Sequence, residues 1–330
     1  MKSRCLEVDL GVILMLTCPN RTDRIGDIDG VIATILDATR SALKGYLTSD
    51  TDSVEPSRSA YLETCFRSVW IGLAGLDRAG LQGLLVPRLM KAFGIIDPKN
   101  LRLTDDVDLL TAAVPSCHAK SSVLVLIAGT GSIAMRYSWS EDQQGYVRVA
   151  RSGGWGHILG DEGGGYAIGL KAIQHALGVF EDIGLGLYKS DSDELAMAVS
   201  AKLGCHLPAI AGIDMLNDLL AENYAQSVKV RIAGVAEVVL ALMNKNKSAA
   251  GIVNSQVAKL VGDTLRRLVD PRALEYQAPE TSVLILAGGL MNNERYRAAF
   301  EHQLDSHRLY FRGTVVAKDA ATLGAGYLSR

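Results

Sequence analysis

The chain has 330 residues, of which 48% are hydrophobic and 21% charged, with 33 glycines, a balance that suits a globular enzyme of roughly two domains. It excludes disordered, collagen-like and disulfide-scaffold classes. With 34 Lys and Arg against 36 Asp and Glu the formal net charge is −2, so no overall basic field exists to hold a nucleic acid or an anionic membrane.

Cys5, Cys18, Cys65, Cys117 and Cys205 are scattered and form no C-x-x-C pair. Neither a zinc site nor a disulfide framework is expected, and a cytoplasmic setting fits. Leu10–Leu16 is apolar enough for a signal-peptide core, but Glu7 and Asp9 flank it and no small-residue cleavage site follows. A buried strand is the better reading. No apolar run approaches the roughly 20 residues of a membrane span. The sequons at Asn20 and Asn246 are then expected to stay unmodified.

In chain order, short apolar runs alternate with longer amphipathic stretches, the pattern of α/β packing. Val12–Leu16 reads as a strand and Ile28–Leu47 as a helix that Asp27 can cap. Val69–Leu73 reads as a buried strand ending among Gly72 and Gly75, and Leu81–Phe93 as a helix. The strand Leu101–Leu103 then runs into Asp105 and Asp106. Beyond a connection at Pro115–Ser122, the nearly pure apolar strand Ser122–Ala128 leads through Gly129-Thr130-Gly131-Ser132 into Ile133–Tyr137, which predicts a tight hairpin. Val147–Arg151 reads as a third strand. Tyr166–Phe180 and much of Asp193–Val269 carry helical spacing. Ser282–Ala287, Arg308–Phe311 and Thr314–Val316 read as strands, and Ala320–Leu328 as a closing small-residue helix.

Three places could carry chemistry. Glycines in Gly129–Ser132 let backbone N–H groups approach an anion, with Thr and Ser hydroxyls as further donors. An ordinary glycine hairpin reads the same way, and the turn is neither a Walker A loop nor a G-x-G-x-x-G. The segment Gly153–Gly165 packs seven glycines into thirteen residues around Trp155, His157, Asp161 and Glu162. It is built to admit a polar ligand against the main chain, and a bare flexible loop would hardly include a tryptophan. His157 reads equally well as a residue bonded to nearby backbone. Asp105 and Asp106, at a strand end, are candidates for a general base in phosphoryl transfer to an alcohol, although Asp108 makes a solvated acidic loop an equal reading.

Leu126–Ser132, Gly153–Gly165, Gly72-Leu73-Ala74-Gly75 and Leu323-Gly324-Ala325-Gly326 together resemble the N-acetylglucosamine kinases of the BadF/BadG/BcrA/BcrD-type ATPase family. That family lies in the sugar kinase, actin and Hsp70 superfamily. The resemblance implies a two-lobed, ribonuclease-H-like α/β fold, here an N-terminal lobe over 1–117 and a C-terminal lobe over 118–330. The last helix, 320–328, would pack back toward the first lobe. It further implies ATP and Mg2+ as cofactors, an amino-sugar substrate phosphorylated at its 6-hydroxyl, and a homodimer as a common assembly. By position, Asp106 would take the hydroxyl proton, with Asp105 standing where the family has an uncharged residue. Thr130 and Gly131 would hold ATP phosphates, and Gly288, Gly289 and Ala233 would border the nucleotide. Asn20, Asp106, Ser132, Gly154, Trp155 and Asp161 would contact the sugar.

The resemblance breaks at the start. The family opens with an Asp/Glu-Gly-Gly-Gly-Thr phosphate turn, whereas here Asp9-Leu10-Gly11 is not one, and eleven positions separate Asp9 from Asn20. The expectation is an N-terminal lobe lacking its first strand pair, through truncation or loss. Two functions follow: an ATP-dependent N-acetylglucosamine kinase, or a catalytically impaired amino-sugar sensor on the same scaffold. Phosphoryl transfer rests on positioning and charge stabilisation, so a lost phosphate turn would matter. A dehydrogenase lacks its glycine fingerprint, and a zinc hydrolase lacks histidines at ligand spacing.

Overall fold

The computed structural model describes residues 10–16, 28–47, 66–73, 76, 80–143, 145–187, 193–204, 227–274 and 276–318. Asn20, Asp27, Ala74, Gly75 and the expected helix 320–328 lie outside the described residues. The chain forms two compact units, one running through the described residues up to Ala113 and the other spanning Val114–Lys318.

In the first unit, β1 (Leu10–Leu16), β2 (Phe66–Leu73) and β3 (Leu101–Thr104) form a parallel sheet in the order β1-β2-β3. Parallel neighbours need crossovers, and helices α1 (Ile28–Leu47) and α2 (Leu81–Ala92) lie in those connections. Central strand β2 is buried on both faces from Val69 to Leu73, hence its unbroken apolar run. Ile35 of α1 and Leu85, Leu89 and Phe93 at α2 complete a core with Ile71, Leu101 and Leu103. A 3-10 helix, Asp106–Ala113, leaves β3. It lies close on β2 because Gly72 has no side chain: a Cβ there would strike Leu109 and come within 3.0 Å of the Asp106 Cα.

The second unit holds a five-stranded sheet in the order β6-β5-β4-β7-β8, built from β4 (Ser122–Ala128), β5 (Ser132–Ser140), β6 (Gly145–Gly153), β7 (Ser282–Ala287) and β8 (Gly313–Ala317). Strands β4, β5 and β6 are antiparallel, whereas β4, β7 and β8 are parallel. Helices α3 (Gly165–Gly184), α4 (Glu194–Leu203), α5 (Val228–Leu242), α6 (Lys247–Lys259) and α7 (Glu294–Ser306) share one apolar core with the sheet, including Leu124, Leu126, Leu284 and Leu286, none of them accessible to solvent. Burying each such side chain favours folding by about 1.5–3 kcal/mol. Asp193, Asn246 and Asn293 cap α4, α6 and α7 through their side-chain oxygens, so the Asn246 sequon has a structural use. Helix α6 runs on into a π-helical turn, Leu260–Leu265, and a 3-10 turn, Arg266–Val269.

One expected element differs. Arg308–Phe311 is not a strand but the exit from α7, where the His307 N–H donates to Gln303 O, the Leu309 N–H donates to Leu304 O and Arg308 takes φ +53°. These bonds satisfy the last carbonyls of the helix. Leu309 and Phe311 pack on the core from irregular backbone, which explains why the run is apolar without being a strand.

Candidate functional site

Neighbouring strands β4 and β7 run parallel, with Ile127 paired to Ala287, so their carboxyl ends lie side by side and each passes into a glycine turn. After β4, the Gly129 N–H donates to Gly131 O at 2.9 Å. After β7, Gly288 takes φ +95°, and a Cβ there would overlap the Ala128 carbonyl oxygen. That carbonyl accepts the Leu290 N–H at 3.0 Å, tying the second turn to the first. Gly129 and Gly289 both have open space where a Cβ would sit, so an anion can approach the main chain of either turn.

Helix α3 begins at the same place. The Gly165 N–H donates to Gly129 O at 2.8 Å and the Tyr166 N–H donates to Thr130 O at 2.9 Å. The amino end of a helix of 20 residues thus lies against Gly129-Thr130-Gly131, and its dipole favours negative charge there. Ala233 on α5 borders this start: a Cβ on Gly165 would lie 3.4 Å from its carbonyl oxygen. Thr130, Gly131, Ala233, Gly288 and Gly289 are therefore gathered at one end of the sheet, although they come from three distant parts of the chain.

Asp161 belongs to the same cluster. It is 6% exposed with φ +64°, accepts the Gly156 N–H on Oδ1 at 3.3 Å, and lies where any Cβ on Gly131 would strike its carboxylate. A Cβ on Gly164 would sit 2.8 Å from Gly131 Cα. The two glycine segments thus touch main chain to main chain, and the bulk of one methyl would separate them. Ser132 is buried, and its hydroxyl donates to Glu162 O at 2.7 Å, so it stitches β5 to the loop. Gly153, Gly154 and Gly156 all have positive φ, which holds the loop in a path that Arg151 supports by donating to Gly154 O at 2.6 Å. Trp155 is 58% exposed with the Arg267 guanidinium 5.9 Å from its ring centre. His157 packs edge-on against Tyr166 at 4.9 Å.

In the first unit the paired aspartates separate. Asp105 is 9% exposed, and its Oδ1 accepts the Val107 N–H at 3.2 Å while its carbonyl accepts the Asp108 N–H. It caps the 3-10 helix. Asp106 opens that helix half-buried, and its carboxylate makes no hydrogen bond among the described residues. Thr104, which accepts from Trp70 Nε1 at 2.9 Å, anchors the end of β3 just before them. Among the described residues no group of three His, Cys, Asp or Glu side chains is placed to hold a metal ion, and no helix is long and apolar enough to cross a membrane.

Sequence reasoning missed Gln256, Thr264 and Tyr296: Thr264 lies against Gly153 at the start of the glycine loop, and Gln256 and Tyr296 bond to Gly163 toward its end. Gln256 left a faint trace, a polar residue on the buried stripe formed by Val253 and Val257 of α6 and Leu260 of the π-helical turn after it. Nothing local marked Tyr296.

No family model matches the chain. It is 29% identical over 236 residues to the N-acetylmuramic acid/N-acetylglucosamine kinase of Clostridium acetobutylicum, a match covering 71% of this chain and 67% of the relative. It is 30% identical over 122 residues to the N-acetyl-D-glucosamine kinase of Dictyostelium discoideum, covering 37% of this chain but only 35% of that relative. Among solved structures, a candidate N-acetylglucosamine kinase from Porphyromonas gingivalis superposes with a TM-score of 0.58 at 15% identity, covering 89% of this chain and 85% of the other. One from Chromobacterium violaceum gives 0.56 at 18%, covering 91% and 87%. At those identities the superpositions speak for fold alone, and the fold they speak for is the one the strand order describes. The chain is thus similar in sequence to N-acetylglucosamine kinases and shares its fold with the two superposed structures.

Proposed function

We propose that this protein transfers the γ-phosphoryl group of ATP to the 6-hydroxyl of N-acetyl-D-glucosamine. One observation carries the reading: Gly129-Thr130-Gly131, Gly288-Gly289, Asp161 and the amino end of α3 converge at the carboxyl ends of two parallel strands. The named activities of the two curated relatives support it.

The open main chain at Gly129 and Gly289 fits a phosphate cradle. ATP would supply the phosphoryl group, and a bound Mg2+ would offset the negative charge of its phosphates. Thr130 and Gly131 hold phosphate oxygens, while Gly288, Gly289 and Ala233 border the rest of the nucleotide. In the second unit Gly154, Trp155 and Asp161, with Ser132 behind them, shape the sugar site. In the first unit Asp106 accepts the 6-hydroxyl proton as the new oxygen–phosphorus bond forms and the bond to the β-phosphate bridge breaks. Asp105 Oδ1 accepts the Val107 N–H, whereas the Asp106 carboxylate makes no hydrogen bond among the described residues, and the resemblance assigns the step to Asp106. Asn20 is assigned to the sugar by resemblance and lies outside the described residues.

The test is ADP release with N-acetylglucosamine, ATP and Mg2+, with the product's phosphate position read by NMR. The expected result is sugar-dependent ADP release and a 6-phosphate. Asp106→Asn should lower kcat at least a thousandfold and leave calorimetric sugar affinity within about threefold. Sugar binding without ADP release would assign the chain to amino-sugar sensing, and full turnover by Asp106→Asn would remove that residue as the base.

A further inference from the structure

The glycine loop has a built neck. Gly153 and Gly163, at its two ends, both lie on the π-helical turn that follows α6: a Cβ on Gly153 would come within 3.0 Å of Thr264 Cγ2, and one on Gly163 within 2.7 Å of Leu260 Cβ. A π-turn in place of a regular helix turns side chains out of the i, i+4 rows, and such turns recur at functional sites. Here it presents Leu260 and Thr264 to the two ends of one loop.

Gly163 is held from both sides. Its N–H donates to Gln256 Oε1 at 3.2 Å, and its carbonyl accepts the Tyr296 hydroxyl at 2.7 Å. The two side chains come from different helices, α6 and α7, and both are buried, Gln256 4% exposed and Tyr296 not at all. Tyr296 is itself fixed, since its N–H donates to the Asn293 cap. The loop side of the neck leads at once to chemistry: Asp161 lies two residues before Gly163, and Gly164 abuts Gly131 of the phosphate turn.

We propose that Gln256 and Tyr296 are positioning residues of the kinase site: they clamp the peptide groups of Gly163 and so fix where the Asp161 carboxylate stands. The inference rests on the proposed sugar role of Asp161. A buried clamp bonded to both the N–H and the carbonyl of Gly163 has one geometry, and a slack one lets Asp161 wander by the fraction of an ångström that matters to a ligand contact. Loss of the clamp therefore weakens sugar binding more than the chemical step.

Three variants test it in the full chain: Tyr296→Phe, which deletes only the hydroxyl, Gln256→Leu, which deletes the acceptor, and Gln256→Glu, which restores an acceptor oxygen. With wild-type turnover established first, Tyr296→Phe and Gln256→Leu should each raise the KM for N-acetylglucosamine about tenfold, with kcat and the KM for ATP within about threefold. Gln256→Glu should return the sugar KM to within about threefold of wild type. Calorimetric sugar affinity should move with KM, and it reads the clamp even where turnover is absent. Unchanged sugar KM and affinity in Tyr296→Phe and Gln256→Leu would overturn the proposal, as would an equal fall in kcat and both affinities unrelieved by Gln256→Glu, the mark of general destabilisation. A wild-type chain that binds sugar but releases no ADP tells against the kinase reading alone; one that does not bind sugar removes the basis of both.

Discussion

Single atoms decide the candidate site. Gly131 has no Cβ, and the space is taken by the Asp161 carboxylate, so Gly131→Ala must push either the turn or the loop away. Displacements of that order cost about a hundredfold in rate at a positioned site, and steady-state kcat/KM for ATP is expected to fall ten- to hundredfold. The Tyr296 hydroxyl adds a pH signature: burial raises its pKa above the ordinary 10.0. The folded state thus favours the protonated phenol, a contribution complete below pH 10 and lost as pH rises beyond it. The melting temperature of the wild type should therefore drop more steeply above pH 10 than that of Tyr296→Phe. Adjacent aspartates likewise divide by one bond. The residue pattern alone left Asp105 and Asp106 as equal candidates and the family resemblance favoured Asp106; in the structure Asp105 accepts the Val107 N–H.

At the level of elements, helices α3 and α5 approach so closely that a Cβ on Gly169 would overlap the Ile232 carbonyl. Gly169→Val must separate the two helices or bend one, and overpacking of this kind costs about 1–3 kcal/mol; a fall of several degrees in melting temperature, measured by calorimetry, is expected. The cap of α6 offers a milder test. Asn246 Oδ1 accepts the Ala249 N–H at 3.0 Å, and Asn246→Ala should cost about 1 kcal/mol in denaturant unfolding. Elements with strong periodicity were legible in advance: Ile28–Leu47, Ser122–Ala128 and Ser282–Ala287 have the bounds their apolar patterns marked. Arg308–Phe311 was not, because an apolar run can be buried by a helix exit as well as by a strand, and the φ of Arg308 leaves no trace in residue type.

For the molecule as a whole, the core of the second unit is assembled, among the described residues, from residues within Val114–Lys318. A fragment of those residues is expected to unfold in one cooperative thermal transition with near-ultraviolet circular dichroism; a broad, non-cooperative melt would show that it needs the rest of the chain. The alternation of strands and helices and the glycine turns after apolar strands were readable from the chain alone, since period and turn chemistry are local properties. So was the concentration of glycine around Trp155 and Asp161. What the chain alone left open was which of those turns meet. Parallel pairing of β4 with β7 sets residues 129–131 beside residues 288 and 289, and packing of α3 on α5 brings Ala233 to the same place. The clamp on Gly163 joins side chains 40 residues apart along the chain, 256 and 296, to a carbonyl and an N–H more than 90 residues from either. Long-range contacts of this kind depend on sheet order and helix packing, which no local pattern encodes, and so the tertiary structure alone settled them.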